Sequence, residues 1–171
     1  MKRAILAIDQ AVGAFSKNTH THSMIGWAVI LDGDIESFGE VDPDPPNYIS
    51  VCAWLVDAIG TLKSQGYDVT VAIETVYAGP NRDVSLKLSH IQGYVHGVAI
   101  SLGVGYQEVT PLQSQKRLTG VTSRVKSEDR KRLMVEAAER LMGESMSSHE
   151  ADAIGIGLFA NQTESHPRSL P

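Results

Sequence analysis

Three carboxylates and one histidine stand at sequence positions from which they could reach a common pocket. Asp9 follows the apolar run RAILAI, and Glu74 ends the β-branched run VTVAIE. His149 and Asp152 are three residues apart in a segment that is typical of a helix, so their side chains share one face. Two carboxylates about 5 Å apart repel each other by roughly 3 kcal/mol at an effective dielectric of about 20. Three of them would therefore not share a pocket without a cation.

Oxygen-rich ligands with one imidazole predict Mg²⁺ or Mn²⁺ as that cation, because both favour octahedral sites that keep several waters. Two such ions about 4 Å apart can activate a water and stabilise the leaving 3′ oxygen in phosphodiester hydrolysis. The pattern predicts a nuclease with two metal ions in each active site. Taken singly, two of these residues also have a purely structural interpretation. Asp9 could be a turn residue at the end of a strand, and His149 could be an exposed residue at the start of a helix. Glu150 is assigned to capping that helix.

Hydrophobic periodicity predicts the elements that must position these residues. Apolar runs predict five strands, and an Asp-Gly step at 32–33 predicts a hairpin between the second and third. Apolar residues at three- and four-residue steps predict helices, the first of which Asn47 could cap. The predicted strands are 3–8, 24–31, 35–41, 69–74 and 106–109, and the predicted helices are 49 to about 66, 83–102, 111–120, 127–143 and one from Ser147 or Ser148. Ser127 is a candidate cap, and Gly120 and Gly143 are predicted to end their helices. This order predicts an α/β fold with a mixed five-stranded sheet, a three-strand antiparallel meander plus two parallel strands, flanked by helices.

The composition bounds the class of protein. With 171 residues and 42% hydrophobic content, we expect one domain over residues 1–161 and a flexible tail at 162–171. Cys52 is the single cysteine and cannot form an internal disulfide, which favours a reducing cytoplasm. The apolar stretch at the start stops at Asp9, so no signal peptide is expected. No apolar run approaches the roughly 18 residues that span a bilayer, so a soluble protein is expected.

The charge is unevenly distributed, although the net charge is −5. Between residues 116 and 132 seven cations face only two acids. Such a segment could grip a phosphate backbone while acids elsewhere hold metal. It could equally be the solvated face of a helix. The seven cations are Lys116, Arg117, Arg124, Lys126, Arg130, Lys131 and Arg132.

Five strings, in order along the chain, resemble the RuvC-type Holliday-junction resolvases of the RNase H-like superfamily. They are AILAID (4–9), IGWAVI (25–30), VAIETVYAGPN (71–81), SLKLSHIQGYVHGVAI (85–100) and HEADAIGIGL (149–158). The resemblance covers most of the chain. It implies an RNase H-like fold and an endonuclease that resolves branched DNA with divalent metals.

The resemblance also implies a role for particular residues. The family's metal ligands correspond to Asp9, Glu74, His149 and Asp152. Its base-stacking aromatic corresponds to Tyr77. Phosphate contacts are implied for Lys116 and Lys126, with Arg117 and Arg124 as further candidates. The helix from Asp83 to Leu102 resembles the helix through which the family forms homodimers, and two copies of one site suit the two-fold symmetry of a four-way junction.

The chain departs from the family pattern after the first acid. Gln10 and Ala11 replace the usual Pro-Gly, and a longer loop with Lys17, His20 and His22 leads to Met24. These differences affect substrate fit more than chemistry, and a phage or prophage relative would account for them. Flaps or RNA/DNA hybrids are alternative substrates, and an inactive junction-binding protein is a non-enzymatic alternative. Proofreading exonucleases are disfavoured, because their first strand carries a second acid that is missing here.

Overall fold

The computed structural model describes residues 2–10, 25–42, 48–77 and 81–164. Five strands lie in these ranges and form one sheet in the order β3-β2-β1-β4-β5. The predicted Asn47 cap and the histidines of the long loop lie outside the described residues. The strands are β1 (Lys2–Gln10), β2 (Ile25–Leu31), β3 (Asp34–Val41), β4 (Tyr67–Glu74) and β5 (Gly105–Val109).

The sheet combines an antiparallel meander with a parallel half. β1 pairs antiparallel with β2, and β2 pairs antiparallel with β3. The predicted hairpin between β2 and β3 is present: Asp32 and Gly33 have φ of 50° and 110°, the left-handed conformation that an Asp-Gly step accepts most easily. β4 lies parallel to β1, and β5 lies parallel to β4. The mixed five-stranded sheet predicted from the sequence is confirmed.

Five helices within the described ranges cover the sheet on both faces. α1 and α2 pack on one face, against strand residues that include Leu6, Ile8 and Ile73. α3, α4 and α5 pack on the other face, where α5 contacts β1 and β2 most extensively. The helices are α1 (Tyr48–Ser64), α2 (Arg82–Ser101), α3 (Pro111–Thr119), α4 (Ser127–Met142) and α5 (Ser148–Glu164).

The helix ends agree with the sequence pattern except at α4. Gly120 and Gly143 end α3 and α4 in the left-handed conformation, as predicted. The cap of α4 is Lys126 rather than the predicted Ser127, and no side chain caps this end. α5 continues to Glu164, which includes the first residues of the predicted tail. None of the helices in the described part of the chain is long and apolar enough to cross a membrane.

Candidate active site

Two neighbouring parallel strands bring the first two carboxylates to the same edge of the sheet. Ile8 of β1 is the register partner of Ile73 of β4, so Asp9 and Glu74 follow at equivalent positions. Alternation along each strand places both acids on the face that packs against α5, in line with Ala7 and Ala72. The sequence prediction that the two strand-end acids are neighbours is therefore confirmed.

The start of α5 lies directly over this edge because the strand beneath it carries a glycine. Gly26 of β2 is the register partner of Asp9, and a Cβ at Gly26 would lie only 2.2 Å from the backbone oxygen of His149. The predicted capping box fixes the helix start: the Ser147 backbone N–H donates to Glu150 (2.7 Å), and the Glu150 backbone N–H donates to the Ser147 hydroxyl (3.1 Å). Glu150 acts in capping, as expected.

The contacts of the four predicted residues form two groups, Asp9 with His149 and Glu74 with Asp152 through Arg130, and the charge of Asp9 acts on both acids of the second group. His149 Nδ1 lies 2.8 Å from Asp9 Oδ2. Arg130, from the first turn of α4, donates through the single atom Nη2 to Glu74 Oε1 (3.0 Å) and to Asp152 Oδ1 (3.1 Å). The side chains of Asp9 and Asp152 are buried, each 8% exposed, and Glu74 is 22% exposed. The structure thus brings all four residues into one partly buried cluster.

Burial and mutual repulsion disfavour the ionised carboxylates. Burial, followed by the charge of Asp9, raises the pKa of Glu74 to about 8, against the opposing effect of Arg130. Burial and the charge of Asp9 raise the pKa of Asp152 to about 6. The charges of Arg130, His149 and Lys131 act in the opposite direction and lower this pKa. The hydrogen bond to Asp9 raises the pKa of His149. The cluster holds more negative charge than its own cations neutralise.

The donor set fits a hard divalent cation, although the side chains are arranged around Arg130. Carboxylate oxygens and one imidazole are suitable ligands for Mg²⁺ or Mn²⁺. Burial first, and then the charge of Asp9, raise the pKa values of Glu74 and Asp152, and a bound divalent ion would favour the ionised form of both. Gln10 adds a buried Oε1 that has no hydrogen-bond partner among the described residues, next to its Nε2 contact with the Glu74 backbone oxygen. Within the described ranges, no group of three or more His, Cys, Asp or Glu side chains forms a ready-made ion site.

The predicted DNA-contacting residues lie at the surface. Tyr77, three residues after Glu74, is 60% exposed. Lys116, Arg124 and Lys126 are exposed on α3 and on the segment that leads to α4. Arg117 is also exposed, but its Nε donates to the backbone oxygen of Leu158 in α5 (3.2 Å), so this side chain helps to hold α3 against α5.

Two residues of the site were missed in the sequence. Arg130 was counted only as one of seven cations, and no motif distinguished it from the others. Gln115 is buried, and its Nε2 donates to the backbone oxygens of Val121 (3.1 Å) and Ser123 (2.9 Å). Gln115 therefore fixes the segment that carries Arg124. A polar residue on the buried side of α3 was the only signal for it.

The chain resembles one family and several solved structures. The family of RuvC crossover junction endodeoxyribonucleases matches residues 51–159. The structure of T. thermophilus RuvC in complex with a Holliday junction substrate has a TM-score of 0.65 and 17% identity, with 96% of each chain covered. A second structure of Thermus thermophilus RuvC has a TM-score of 0.64 and 18% identity, covering 95% of this chain and 96% of that one.

A more distant likeness is to the yeast mitochondrial Holliday junction resolvase Ydc2, with a TM-score of 0.52 and 12% identity over 96% of this chain and 81% of that one. No curated protein matches the chain. At these identities the structural likenesses show the fold alone, whereas the family match covers more than half of the chain.

Proposed function

Because the chain belongs to the RuvC family of crossover junction endodeoxyribonucleases, and is thus a nuclease, we propose that it resolves four-way junctions with metal ions held by Asp9, Glu74, His149 and Asp152. The observation that carries the proposal is the convergence of these residues at the carboxyl edge of β1 and β4, under the start of α5. Divalent-metal dependence is general to the family. The finer assignment, two Mg²⁺ or Mn²⁺ ions per site, rests on the hard oxygen donors.

In the proposed mechanism the ions, when bound, supply an activated water and stabilise the leaving 3′ oxygen. The chain's own residues prepare the site. Asp9 accepts a hydrogen bond from Nδ1–H of His149, which orients the ring and leaves Nε2 of the neutral imidazole as the ligand or proton acceptor. Glu74 and Asp152, which burial and repulsion hold partly protonated, ionise as cations approach.

Four exposed residues are proposed to contact DNA: Tyr77 by stacking on bases, and Lys116, Arg124 and Lys126 by pairing with phosphates. Each lost phosphate contact reduces the slope of log binding affinity against log salt concentration by about 1. Lys126→Ala is therefore expected to flatten the dependence of junction affinity on salt concentration. Lys2→Ala, at the opposite end of β1, serves as the control with an unchanged slope.

A homodimer is proposed to form through α2. Leu86, Gly93, Gly97 and Ile100 recur at helical spacing, and Leu86 and Ile100 are 47% and 66% exposed. No atom of the described residues lies within 4 Å of a Cβ built at Gly93 or Gly97, so another helix can approach this stripe closely. Exposed apolar residues beside open glycines favour contact with a second copy, whose second site would make the opposed cut.

Sedimentation tests the dimer with a matched pair of variants. Gly93→Glu is expected to give a folded monomer, because the new charge lies in the proposed interface. Gly60→Glu, on α1, places the same side chain at another exposed helical glycine with no neighbour within 4 Å, and should leave the dimer intact. A wild-type monomer that cuts junctions fully would refute this part of the proposal.

The substrate is tested by one preparation acting on a four-way junction, a flap and an RNA/DNA hybrid of matched sequence. Junction cleavage is expected with Mg²⁺ or Mn²⁺ and is expected to stop in a chelator. Faster cleavage of the flap or hybrid would redirect the proposal to those substrates. Junction binding without cleavage under every metal condition would instead support a non-catalytic binding protein.

A further inference from the structure

Arg130 lies among the residues assigned above to metal, and the contacts of its guanidinium differ from those of a surface ion pair. One nitrogen, Nη2, contacts both Glu74 (3.0 Å) and Asp152 (3.1 Å), and the side chain is only 17% exposed. By contrast, Arg132, two residues further along α4, pairs with Asp129 and Glu136 while 63% exposed. A single donor shared by two partly buried carboxylates places a positive charge directly between them.

The two carboxylates hold the guanidinium in this place. Its Nε is buried and has no hydrogen-bond partner among the described residues. An unpaired buried donor is unfavourable, so the attraction of Glu74 and Asp152 has to offset that cost. The side chain has no second polar anchor at Nε that would keep it there once these carboxylates bind something else.

A divalent ion bound by Glu74 and Asp152 would lie beside the carboxylate oxygens that Arg130 now contacts, where the ion and the guanidinium would repel each other strongly. We propose that Arg130 is a positioning residue that takes the place of a cation between Glu74 and Asp152 in the metal-free enzyme and competes with metal for both carboxylates. The inference rests on the proposed function, because it assumes that these two acids are metal ligands.

Two consequences of opposite sign follow. Without metal, Arg130 lowers the repulsion between the carboxylates and so stabilises the fold. When metal is present, Arg130 lowers the affinity of the site for the metal ion, because the guanidinium first has to leave the two carboxylates. A purely structural arginine would support both the fold and the metal site, and its loss would impair both.

The test compares Arg130→Met with Arg132→Met, which removes the same charge from the same helix. Binding of Mn²⁺ without DNA is measured by calorimetry and by electron paramagnetic resonance, and the thermal midpoint is measured in chelator. Arg130→Met is expected to bind Mn²⁺ about tenfold more tightly than wild type and to melt at a lower temperature in chelator. Arg132→Met is expected to leave the Mn²⁺ affinity unchanged.

The outcomes separate this inference from the proposed function. Equal or weaker Mn²⁺ binding by folded Arg130→Met, beside normal binding by wild type, overturns the competition and leaves the metal site standing. Absence of Mn²⁺ binding in wild type and in both variants overturns the site and the inference together. If Arg130→Met does not fold, Arg130→Gln replaces it: loss of the positive charge should still tighten Mn²⁺ binding, and unchanged affinity would overturn the inference.

Discussion

Next to the acids, the two faces of the sheet carry side chains of different size, and the candidate active site lies on the face with the smaller ones. On the face covered by α1 and α2, β4 presents Val71 and Ile73. On the opposite face the same strand presents Ala72 and then Glu74, as β1 presents Ala7 and then Asp9. The acids thus continue a row of alanines.

Small residues allow α5 to lie close to the sheet. A Cβ at Gly157 would meet the Ile30 side chain at 2.8 Å, and one at Gly26 would meet the backbone of His149. The helix is therefore close enough for His149 to contact Asp9 directly. The other face is less closely covered, with a groove of about 370 Å³ beside Trp27 and Trp54. Close packing of α5 on the sheet thus positions the site. Variants that disturb only one face of the sheet test this conclusion.

The largest contrast between the faces is expected from removing a carboxylate charge. Asp152→Asn removes the charge of a proposed metal ligand on the face covered by α5, so cleavage should fall by more than the roughly 100-fold typical of outer-shell changes. Junction binding should persist, because the basic residues are untouched. Asp57→Asn, on the exposed side of α1, is the matched control with full activity. Gel assays of binding and cleavage check both. Normal cleavage by Asp152→Asn would remove that residue from the site, and the same test applies to Asp9→Asn and Glu74→Gln.

The next contrast concerns the packing itself. Gly26→Ala would place a Cβ 2.2 Å from the His149 backbone oxygen, so α5 has to move, and we expect a loss of about 3 kcal/mol in the free energy of unfolding. Activity should fall as well, because His149 shifts away from Asp9. Gly60→Ala on α1 meets nothing within 4 Å and should instead stabilise the helix by about 1 kcal/mol. Urea unfolding measures both. A neutral Gly26→Ala would show that close packing of α5 is not required.

The parts of this site that follow from one strand or one helix could be predicted from the sequence. The acids near the carboxyl ends of β1 and β4 are neighbours because parallel strands end at the same edge, and the spacing of His149 and Asp152 places them on one helix face. The capping box between Ser147 and Glu150 could also be predicted, since it depends only on local spacing.

Arg130 and Gln115 could not be predicted, because their roles depend on how whole helices pack. Arg130 reaches Glu74 only through the placement of α4 beside α5, and the sequence offers six other cations nearby with the same local character. The Lys126 cap of α4 is a smaller example. Ser127 is a better capping residue by type, yet the helix already includes it. The fold class was decided by periodicity, whereas these contacts were decided by packing.

The smallest expected contrast is in how the free energy of unfolding depends on pH in the absence of metal. Burial and the charge of Asp9 raise the folded-state pKa of Glu74 to about 8, above its unfolded value, so the folded protein binds the proton more tightly. This contribution to stability is present below the unfolded pKa and is lost as pH rises towards 8. Glu74→Gln cannot lose a proton, so its stability relative to wild type should rise steadily across that window. Glu36→Gln, an exposed carboxylate of β3, should leave the pH profile unchanged. The free energy of unfolding, measured in chelator at a series of pH values, checks both variants. If it changes with pH in the same way for Glu74→Gln and wild type, Glu74 is ionised throughout and its charge does not destabilise the acid cluster.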